Sequence, residues 1–170
     1  MPYIFQILMK WIMKRSTLTM TSIFQCMMEE GFYPIYEKTH IIFGLDDNQA
    51  VVEYEDGIAS VRLYFSIEED MYDLFLEAAN ETMMKTFGVK PVVTSDIKNL
   101  MLSCEILCDS QKEFRKFFPR CIKLIKEALK VHKMEMKRLL LAEDLISANN
   151  QTPDDYLHLA ERSGIHKVLS

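Results

Sequence analysis

Residues 53–65, EYEDGIASVRLYF, decide the fold. The Asp56-Gly57 pair in this stretch is the strongest short-range signal for a β-hairpin turn. After the pair, apolar and polar side chains alternate. The apolar set is Ala59, Val61, Leu63, Phe65 and Ile67, and the polar set is Ser60, Arg62, Tyr64 and Ser66. This alternation predicts a half-buried strand with one face on a hydrophobic core.

Further strands are predicted on both sides of this hairpin. Residues 40–45 are apolar and lead into the turn residues Asp46, Asp47 and Asn48, after which 49–55 form the first arm of the hairpin. Residues 89–95 and 100–108 make a second strand pair. Residues 32–38 contain Pro34, which limits them to an edge strand at best. We expect a mostly antiparallel sheet of about five strands.

Two helices are predicted before the second strand pair. Residues 17–31 have one apolar side and end at Gly31, where a left-handed cap is expected. We expect Ser66 to cap a second helix that starts at residue 68 and ends at Gly88. Its expected buried side carries Met71, Leu74, Phe75, Ala78, Thr82 and Phe87. Asn80 in that helix is expected to make a buried hydrogen bond, with ligand binding as the alternative.

A long helix follows the second strand pair. Ser110 and Glu113 form a capping box, and the helical pattern continues to about residue 146. Pro119 should kink this helix or split it in two. A polar break at 147–152 and a short helix at 153–162 complete the chain. The predicted class is α+β, an antiparallel sheet backed by helices in the order α-β-β-β-α-β-β-α, with extra N- and C-terminal helices.

The predicted division of the chain is 1–16, 17–133 and 134–170. In the first part, Ile4, Leu8, Trp11 and Ile12 fall at helical spacing, which predicts an amphipathic helix that docks on the domain. A membrane-surface helix is the alternative, with Lys10, Lys14 and Arg15 as its charges. The apolar run is too short to span a bilayer, so we expect no membrane partner. Met13 and Met20 are alternative start sites to Met1.

Composition and cysteine usage favour a globular, cytoplasmic protein. The 170 residues are 49% hydrophobic and 26% charged, which argues against disorder. The net charge of −5 disfavours nucleic acid as a partner of the whole surface. Cys26, Cys104, Cys108 and Cys121 include no CxxC pair. Cys104 and Cys108 should lie roughly 13 Å apart along a strand, too far for one metal ion or one disulfide. We expect buried free thiols.

Residues 22–133 resemble the YbjN-like family, described as candidate bacterial sensory transduction regulators with a fold similar to type III secretion chaperones. The resemblance runs through EEGF (29–32), the strand stretch quoted above, FLEAANETMMKTFGVK (75–90), NLMLSCEIL (99–107) and KEFRKFFPRCIKLIKEAL (112–129). No single motif is specific; their order and spacing carry it. The resemblance implies a small helix-and-sheet module that dimerises or binds polypeptide, with no catalytic residues to transfer. Residues 1–21 and those after 133 fall outside it.

A run of basic residues marks the long helix and is the most distinctive pattern in the chain. Its eight members recur every three or four positions and so share one side of a helix: Lys112, Lys116, Arg120, Lys123, Lys126, Lys130, Lys133 and Lys137. We call this set the basic stripe. Residues 110–141 carry a net charge of +7, and residues 46–81 carry −10. The stripe is either the solvated side of an amphipathic helix or a surface that attracts an acidic partner.

The apolar side of the same helix is expected to face the core. Its members are Phe114, Phe117, Phe118, Cys121, Leu124, Ile125 and Ala128. Because these aromatic residues are predicted to be buried, the sequence shows no platform on which nucleic-acid bases could stack.

No catalytic, cofactor or metal motif is present. The histidines are scattered and form no HxxxH, HxH or Cys/His cluster, and phosphate-binding loops and GxSxG are absent. Met27, Met28, Met83 and Met84 could form an adaptable peptide-binding surface or simply fill the core.

The function predicted from the sequence is a non-catalytic, chaperone-like or regulatory interaction module. Its partner would be a polypeptide, and it would form a homodimer. The candidate partner-binding residues are Lys116, Arg120, Lys123 and Lys130. A nucleic-acid-binding regulator that uses the basic stripe is the first alternative, and an enzyme with a spatially assembled site is the second. No cofactor is expected.

Overall fold

A six-stranded antiparallel sheet forms the body of the computed structural model, which describes residues 17–67, 71–94 and 99–150, with side chains as far as residue 143. The strands are β1 Ile35–Glu37, β2 His40–Leu45, β3 Asn48–Glu55, β4 Ile58–Ser66, β5 Lys90–Val93 and β6 Asn99–Leu107. Their order across the sheet is β1-β2-β3-β4-β6-β5, and every neighbouring pair is antiparallel. The predicted α+β class and antiparallel sheet are confirmed.

Two-residue turns set the register of the first four strands. Glu55 pairs with Ile58, so Asp56 and Gly57 alone make the β3–β4 turn, with φ angles of 49° and 81°. Positive φ at both central residues gives the turn the twist that an antiparallel hairpin needs. The β2–β3 turn, in which Asp46 has a φ of 53°, likewise spans two residues. Both turns were predicted.

The sixth strand is β1, where the sequence indicated an edge strand at best. It has three residues, all of them exposed, and it pairs only with β2. Its side chains contribute little burial, so the backbone pairing and an edge-on contact between Tyr36 and Phe24 at 6.2 Å hold it on the sheet. Pro34 immediately precedes it, a position where a missing N–H removes no bond from the ladder.

The alternation in β4 places its apolar set on the core side, as predicted. Ala59, Val61 and Leu63 are fully buried, whereas Arg62 and Tyr64 on the other side are half-buried. Val61 pairs with Val52 of β3 and with Cys104 of β6, both buried. β3, β4 and β6 therefore supply one continuous apolar face.

Three helices complete the fold within the described residues: α1 Met20–Glu29, α2 Tyr72–Lys85 and α3 Gln111–Asn150. Thr19 caps α1, since its hydroxyl accepts a bond from the Ser22 N–H at 3.2 Å while the Ser22 hydroxyl accepts one from the Thr19 N–H at 2.9 Å. The predicted capping box opens α3, where the Ser110 hydroxyl accepts from the Glu113 N–H. Side chains of α1 and α3 join the core face of the sheet in one cluster.

α3 corrects the expectation that Pro119 could split the helix in two and that a polar break begins at residue 147. It is a single helix of 40 residues, Gln111–Asn150, with Pro119 inside it. A proline inside a helix costs about 3 kcal/mol. Each fully buried large apolar side chain contributes about 1.5–3 kcal/mol, and Phe114, Phe118 and Ile125 of α3 are all fully buried. The free energy contributed by this packing exceeds the cost of the proline. The predicted helices at 1–16 and 153–162 lie outside the described residues.

α2 departs from its prediction at three positions. Ser66 ends β4 instead of capping the helix, which begins at Tyr72 after Met71. Phe87 is 90% exposed, because α2 ends at Lys85 and the chain turns before Phe87 can reach the core. Asn80 is exposed, so it makes no buried hydrogen bond. The buried side of α2 is short and consists of Ala78, Ala79 and Thr82.

Replacing Gly57 by alanine should destabilise the protein by about 1–2 kcal/mol, because a side chain at positive φ clashes with its own backbone. The added Cβ would also lie 2.8 Å from Asp109 Oδ1. Gly44→Ala is the matched control, since a Cβ there meets nothing within 4 Å and a change of about 0.5 kcal/mol or less is expected. Urea unfolding followed by circular dichroism measures both; equal stabilities of the two variants would contradict the assigned turn.

Candidate functional site

The basic stripe lies on the solvent side of α3. All eight members are exposed: Lys112, Lys116, Arg120, Lys123, Lys126, Lys130, Lys133 and Lys137. The opposite side of the helix carries Phe114, Phe118, Cys121, Ile125 and Ala128, each 1% exposed or less. Phe117 and Leu124 are only partly buried. The 3.6-residue period of the helix therefore forces the charges outward once the aromatic side is fixed on the sheet.

Two of the eight charges have an acidic partner. Lys126 Nζ lies 2.7 Å from Asp46 Oδ1, in the β2–β3 turn, and Lys123 Nζ lies 3.8 Å from Glu127 Oε1. Lys116 Nζ lies 5.2 Å from the centre of the Phe117 ring. In the described part of the chain the other members form no ion pair: Lys112, Arg120, Lys130, Lys133 and Lys137. The stripe keeps most of its positive charge available.

A shallow groove of about 400 Å³ lies along the second half of the stripe, and all of its lining residues belong to α3. Leu129 is only 8% exposed, so Met134 supplies most of the apolar surface, and Lys126, Lys130, Lys133 and Lys137 supply the charges. Met134 is 60% exposed. The lysines follow the helical spacing of the basic stripe, whereas the two apolar residues follow from no motif. The groove combines an apolar surface with ammonium groups and could hold an acidic segment that also has apolar side chains.

The structure places the described acidic residues of 46–81 on more than one surface. Asp46 lies in the β2–β3 turn, Glu53 lies on β3, and Glu77 and Glu81 lie on α2. One of them, Asp46, already contacts the stripe within the same chain. The opposite charges of the two segments therefore do not by themselves define two matching faces.

The four methionines considered as a peptide-binding surface do not lie together. Met27 is fully buried in the core, whereas Met28, Met83 and Met84 are 56%, 51% and 80% exposed. Met28 lies on α1 and the other two lie on α2, so they form no common groove with the stripe.

A buried polar contact joins α2 to α3. His132 is 3% exposed, and its ring lies between Phe65 and Phe75, at centroid distances of 6.4 and 5.6 Å. Its Nδ1 is 3.4 Å from the Thr82 hydroxyl, which donates to the Ala78 carbonyl at 2.7 Å. His132 Nε2 is buried without a hydrogen-bond partner among the described residues. Burial lowers the pKa of His132 below its usual value near 6.5, because an apolar pocket disfavours the charged ring.

An ion-pair cluster lies one helical turn further along. Glu135 of α3 is 7% exposed, and its two carboxylate oxygens accept bonds from Lys85 of α2 and from Arg138, both at 2.8 Å. The hydrogen bonds from Lys85 and then Arg138 lower the pKa of Glu135. Lys85 also pairs with Glu81 at 3.1 Å. These contacts fix the end of α2 on α3 and are structural.

The four cysteines are free and buried, as predicted. Burial raises the pKa of Cys108 to about 11, and burial likewise raises the pKa of Cys26. A thiol with a raised pKa carries little thiolate at neutral pH, and the thiolate is the nucleophile. Cys121 Sγ lies 3.7 Å from the Cys104 carbonyl in the contact between α3 and β6. These side chains fill the core.

No group of three or more His, Cys, Asp or Glu residues within residues 17–67, 71–94 and 99–143 could hold a metal ion. His40 lies on the sheet 3.7 Å from Glu37, and His132 lies in the contact described above. His158 and His166 lie outside the described residues. None of the helices in these ranges is both long and apolar enough to cross a lipid bilayer.

Comparison with known proteins supports the fold. No protein-family model matches the sequence, and no curated protein is significantly similar to it. Among solved structures, YbjN from E. coli, described as a candidate transcription regulator, matches with a TM-score of 0.59 over 71% of this chain and 94% of YbjN. This chain has the YbjN fold. Sequence identity to YbjN is 8%, so the likeness extends to the fold alone.

The resemblance noted in the sequence is thus confirmed as a shared fold. YbjN matches over nearly its whole length. An uncharacterised protein from Methanothermobacter thermautotrophicus also matches over 71% of this chain, with 18% identity and a TM-score of 0.48.

The His132 contact generates a pH prediction. The unfolded chain binds a proton at His132 near pH 6.5, and the folded chain binds it only at lower pH. Above pH 6.5 His132 should not reduce the free energy of unfolding. As the pH drops from 6.5 toward the lower pKa of the folded chain, the free energy of unfolding should decrease. His132→Gln should remove this part of the pH dependence.

Urea unfolding at a series of pH values measures the effect. His40→Gln serves as the control, because His40 lies on the sheet with 32% of its side chain exposed, and this variant should keep the pH dependence of the parent chain. A profile for His132→Gln that still falls with the parent slope below pH 6.5 would contradict the assigned environment of His132.

Proposed function

We propose that this protein is a non-catalytic interaction module that binds an acidic polypeptide partner on the solvent side of α3. The single observation that carries the proposal is the groove beside Leu129 and Met134, bordered by four lysines of the basic stripe. The YbjN-like fold supports it as the fold of a candidate regulator. Of the four partner-binding residues predicted from the sequence, Lys130 lines the groove, and we propose that Lys116, Arg120 and Lys123, on the same side of α3 outside the groove lining, extend the contact.

The mixed chemistry of the groove favours polypeptide over nucleic acid. Phosphate binding depends on cationic side chains and gains nothing from an apolar surface, whereas an amphipathic helix places an apolar face in a hydrophobic groove. Met134 suits this role because its thioether adapts to differently shaped side chains. The exposed ammonium groups would steer an acidic segment toward the groove and set its orientation.

A nucleic-acid-binding regulator is the second candidate. It is favoured by one observation, the eight exposed basic residues along a single helix. The aromatic residues among them do not favour it, since Phe114 and Phe118 are buried and cannot stack on bases.

We also propose that the chain associates into a homodimer through the second half of α3. Leu139 is 7% exposed, whereas Leu140 and Leu141 are 39% and 54% exposed. The helix continues past them to Asn150, and contiguous exposed apolar surface is a common mark of an interface. The side chains of Leu145 and Ile146 lie outside the described residues.

Affinity capture from lysate followed by mass spectrometry should recover a protein partner with an acidic segment. Capture with Lys123→Glu plus Lys130→Glu should reduce its recovery by about tenfold or more, because opposite charges become like charges. Lys38→Glu plus Lys90→Glu, in the β1–β2 turn and on β5, makes the same change in net charge; it also removes the exposed Lys90–Glu105 ion pair, and it should leave recovery unchanged.

Equal loss of the partner from both double variants would contradict a binding site on α3. Binding of the wild-type chain to DNA or RNA would favour the second candidate, the nucleic-acid-binding regulator. This binding would have to weaken steeply with salt and disappear in Lys123→Glu plus Lys130→Glu.

Light scattering at micromolar concentration tests the dimer. The proposed state has twice the 19.9 kDa mass of one chain. Leu140→Lys plus Leu141→Lys should shift the mass toward a single chain, since it places charges in an apolar interface. A wild-type mass of one chain that persists at high concentration would contradict the proposal.

A further inference from the structure

The side of α2 that faces away from the core carries apolar residues. Leu76, Met83 and Met84 are 39%, 51% and 80% exposed, and Phe87, two residues after the helix, is 90% exposed. Exposed apolar side chains gathered on one helix are a common mark of an interface. The described residues supply no cover for this side of α2.

Two carboxylates lie on the same exposed side of α2. Asp73 and Glu77 are both exposed, and Met84 follows them by eleven and seven residues, which places all three on one side of the helix. Within the described residues neither carboxylate forms an ion pair. Glu81, the next acidic residue, is already paired with Lys85. The exposed side of α2 therefore combines an apolar surface with two available negative charges.

The apolar residues of α2 and of the α3 groove have matching spacing. On α3, Met134 of the groove and Leu141 are 60% and 54% exposed and lie seven residues apart. On α2, Leu76 and Met83 are also seven residues apart. Seven residues are two helical turns, about 10.5 Å, so each pair lies along one side of its helix. The two pairs can pack against each other when the helices lie side by side.

The charges match in the same alignment, with the two helices running in the same direction. Asp73 lies three residues before the first apolar residue of its pair, and Lys130 lies four residues before the first of the other pair. Glu77 follows its apolar residue by one position, and Lys137 follows by three. Each carboxylate is then within about 3 Å, along the helix axis, of the level of a lysine. Lys130 and Lys137 form no ion pair among the described residues.

A single chain cannot make this contact, because the opposite side of its own α2 is fixed on α3. The Thr82 hydroxyl lies 3.4 Å from His132 Nδ1, and Lys85 donates to Glu135 at 2.8 Å. A second copy can make it. Because α2 and α3 lie side by side in each chain, a two-fold axis between two chains lets each α2 contact the α3 of the other chain.

We propose that α2 of a second copy occupies the α3 groove, and that two copies exchange this contact in a symmetric dimer. The contact, which rests on the proposed function, uses the same groove as the acidic partner. At high concentration the second copy excludes the partner, whereas dilution separates the copies and leaves the groove open. Self-association then controls access of the partner to the groove.

Light scattering of two charge-reversal variants over a range of concentrations tests the exchange. Asp73→Lys plus Glu77→Lys reverses the charge of α2, and Lys130→Glu plus Lys137→Glu reverses the charge of the groove. Either change places like charges opposite each other, so the Kd of the dimer should rise about tenfold or more. An equimolar mixture of the two variants should form dimers as readily as the parent chain, because each α2 then meets a groove of opposite charge. This recovery would also show that both variants are folded.

Glu30→Lys plus Glu55→Lys is the matched control for the α2 variant. Both residues are exposed and form no ion pair among the described residues, and they lie at the end of α1 and on β3. The control changes the net charge by the same amount and should leave the Kd of the dimer unchanged.

Capture of the acidic partner separates this contact from the proposed function. Asp73→Lys plus Glu77→Lys leaves the groove intact, so this variant should capture the partner at least as well as the parent chain. Lys130→Glu plus Lys137→Glu should lose it. If the groove variant keeps the partner while the mixed variants still dimerise, the proposed function is wrong and the dimer contact stands.

Three outcomes would overturn the proposal. The first is a parent chain whose mass remains that of one chain at high concentration and low salt. The second is an α2 variant that dimerises as readily as the parent chain, which would assign the dimer to another surface. The third is a mixture of the two variants in which both remain single chains, since opposite charges would then fail to restore the contact.

Discussion

The packing of the aromatic side of α3 on the sheet is the interaction on which the rest of the structure depends. Phe114 and Phe118 stack at 4.9 Å, and Phe118 also contacts Phe32 and Phe43, which brings α3, the end of α1 and β2 into one cluster. Further along, Ile125 is fully buried. Because an α-helix repeats every 3.6 residues, fixing this side of α3 also fixes the direction of the opposite side. The basic stripe faces solvent as a consequence.

This packing divides the charged residues of α3 into those that pair with neighbouring helices and those that remain exposed to solvent. Arg115 pairs with Glu29 and ties α3 to α1, and Glu135 joins Lys85 of α2 to Arg138. These pairs lie on the flanks of α3, where neighbouring helices contact it. Most members of the basic stripe lie on the solvent side of α3 and have no acidic partner among the described residues. A helix whose flanks are held on both sides can present a rigid row of charges, which lowers the entropic cost of binding a partner.

The parts of the fold that could be predicted are those specified by local pattern. Asp56-Gly57 and the alternation that follows define the β3–β4 hairpin, and the three-to-four spacing along α3 defines both of its sides. β1 could be predicted only as an edge strand at best, because it has three residues and none of its side chains is buried. The exposure of Phe87 depends on where α2 ends, and the continuity of α3 through Pro119 depends on packing energy that a local rule omits.

The candidate groove was half predicted, since its lysines follow a pattern whereas Leu129 and Met134 do not.

Hydrogen–deuterium exchange with and without the captured partner tests the central claim, that one helix both closes the core and binds the partner. In the free chain, the first two-thirds of α3 should exchange as slowly as β4 and β6, because they unfold as one unit. Adding the partner should increase protection in residues 116–137 and leave the strands at their free rates. Protection confined to the edge strands β1 and β5, with α3 unchanged, would contradict the account.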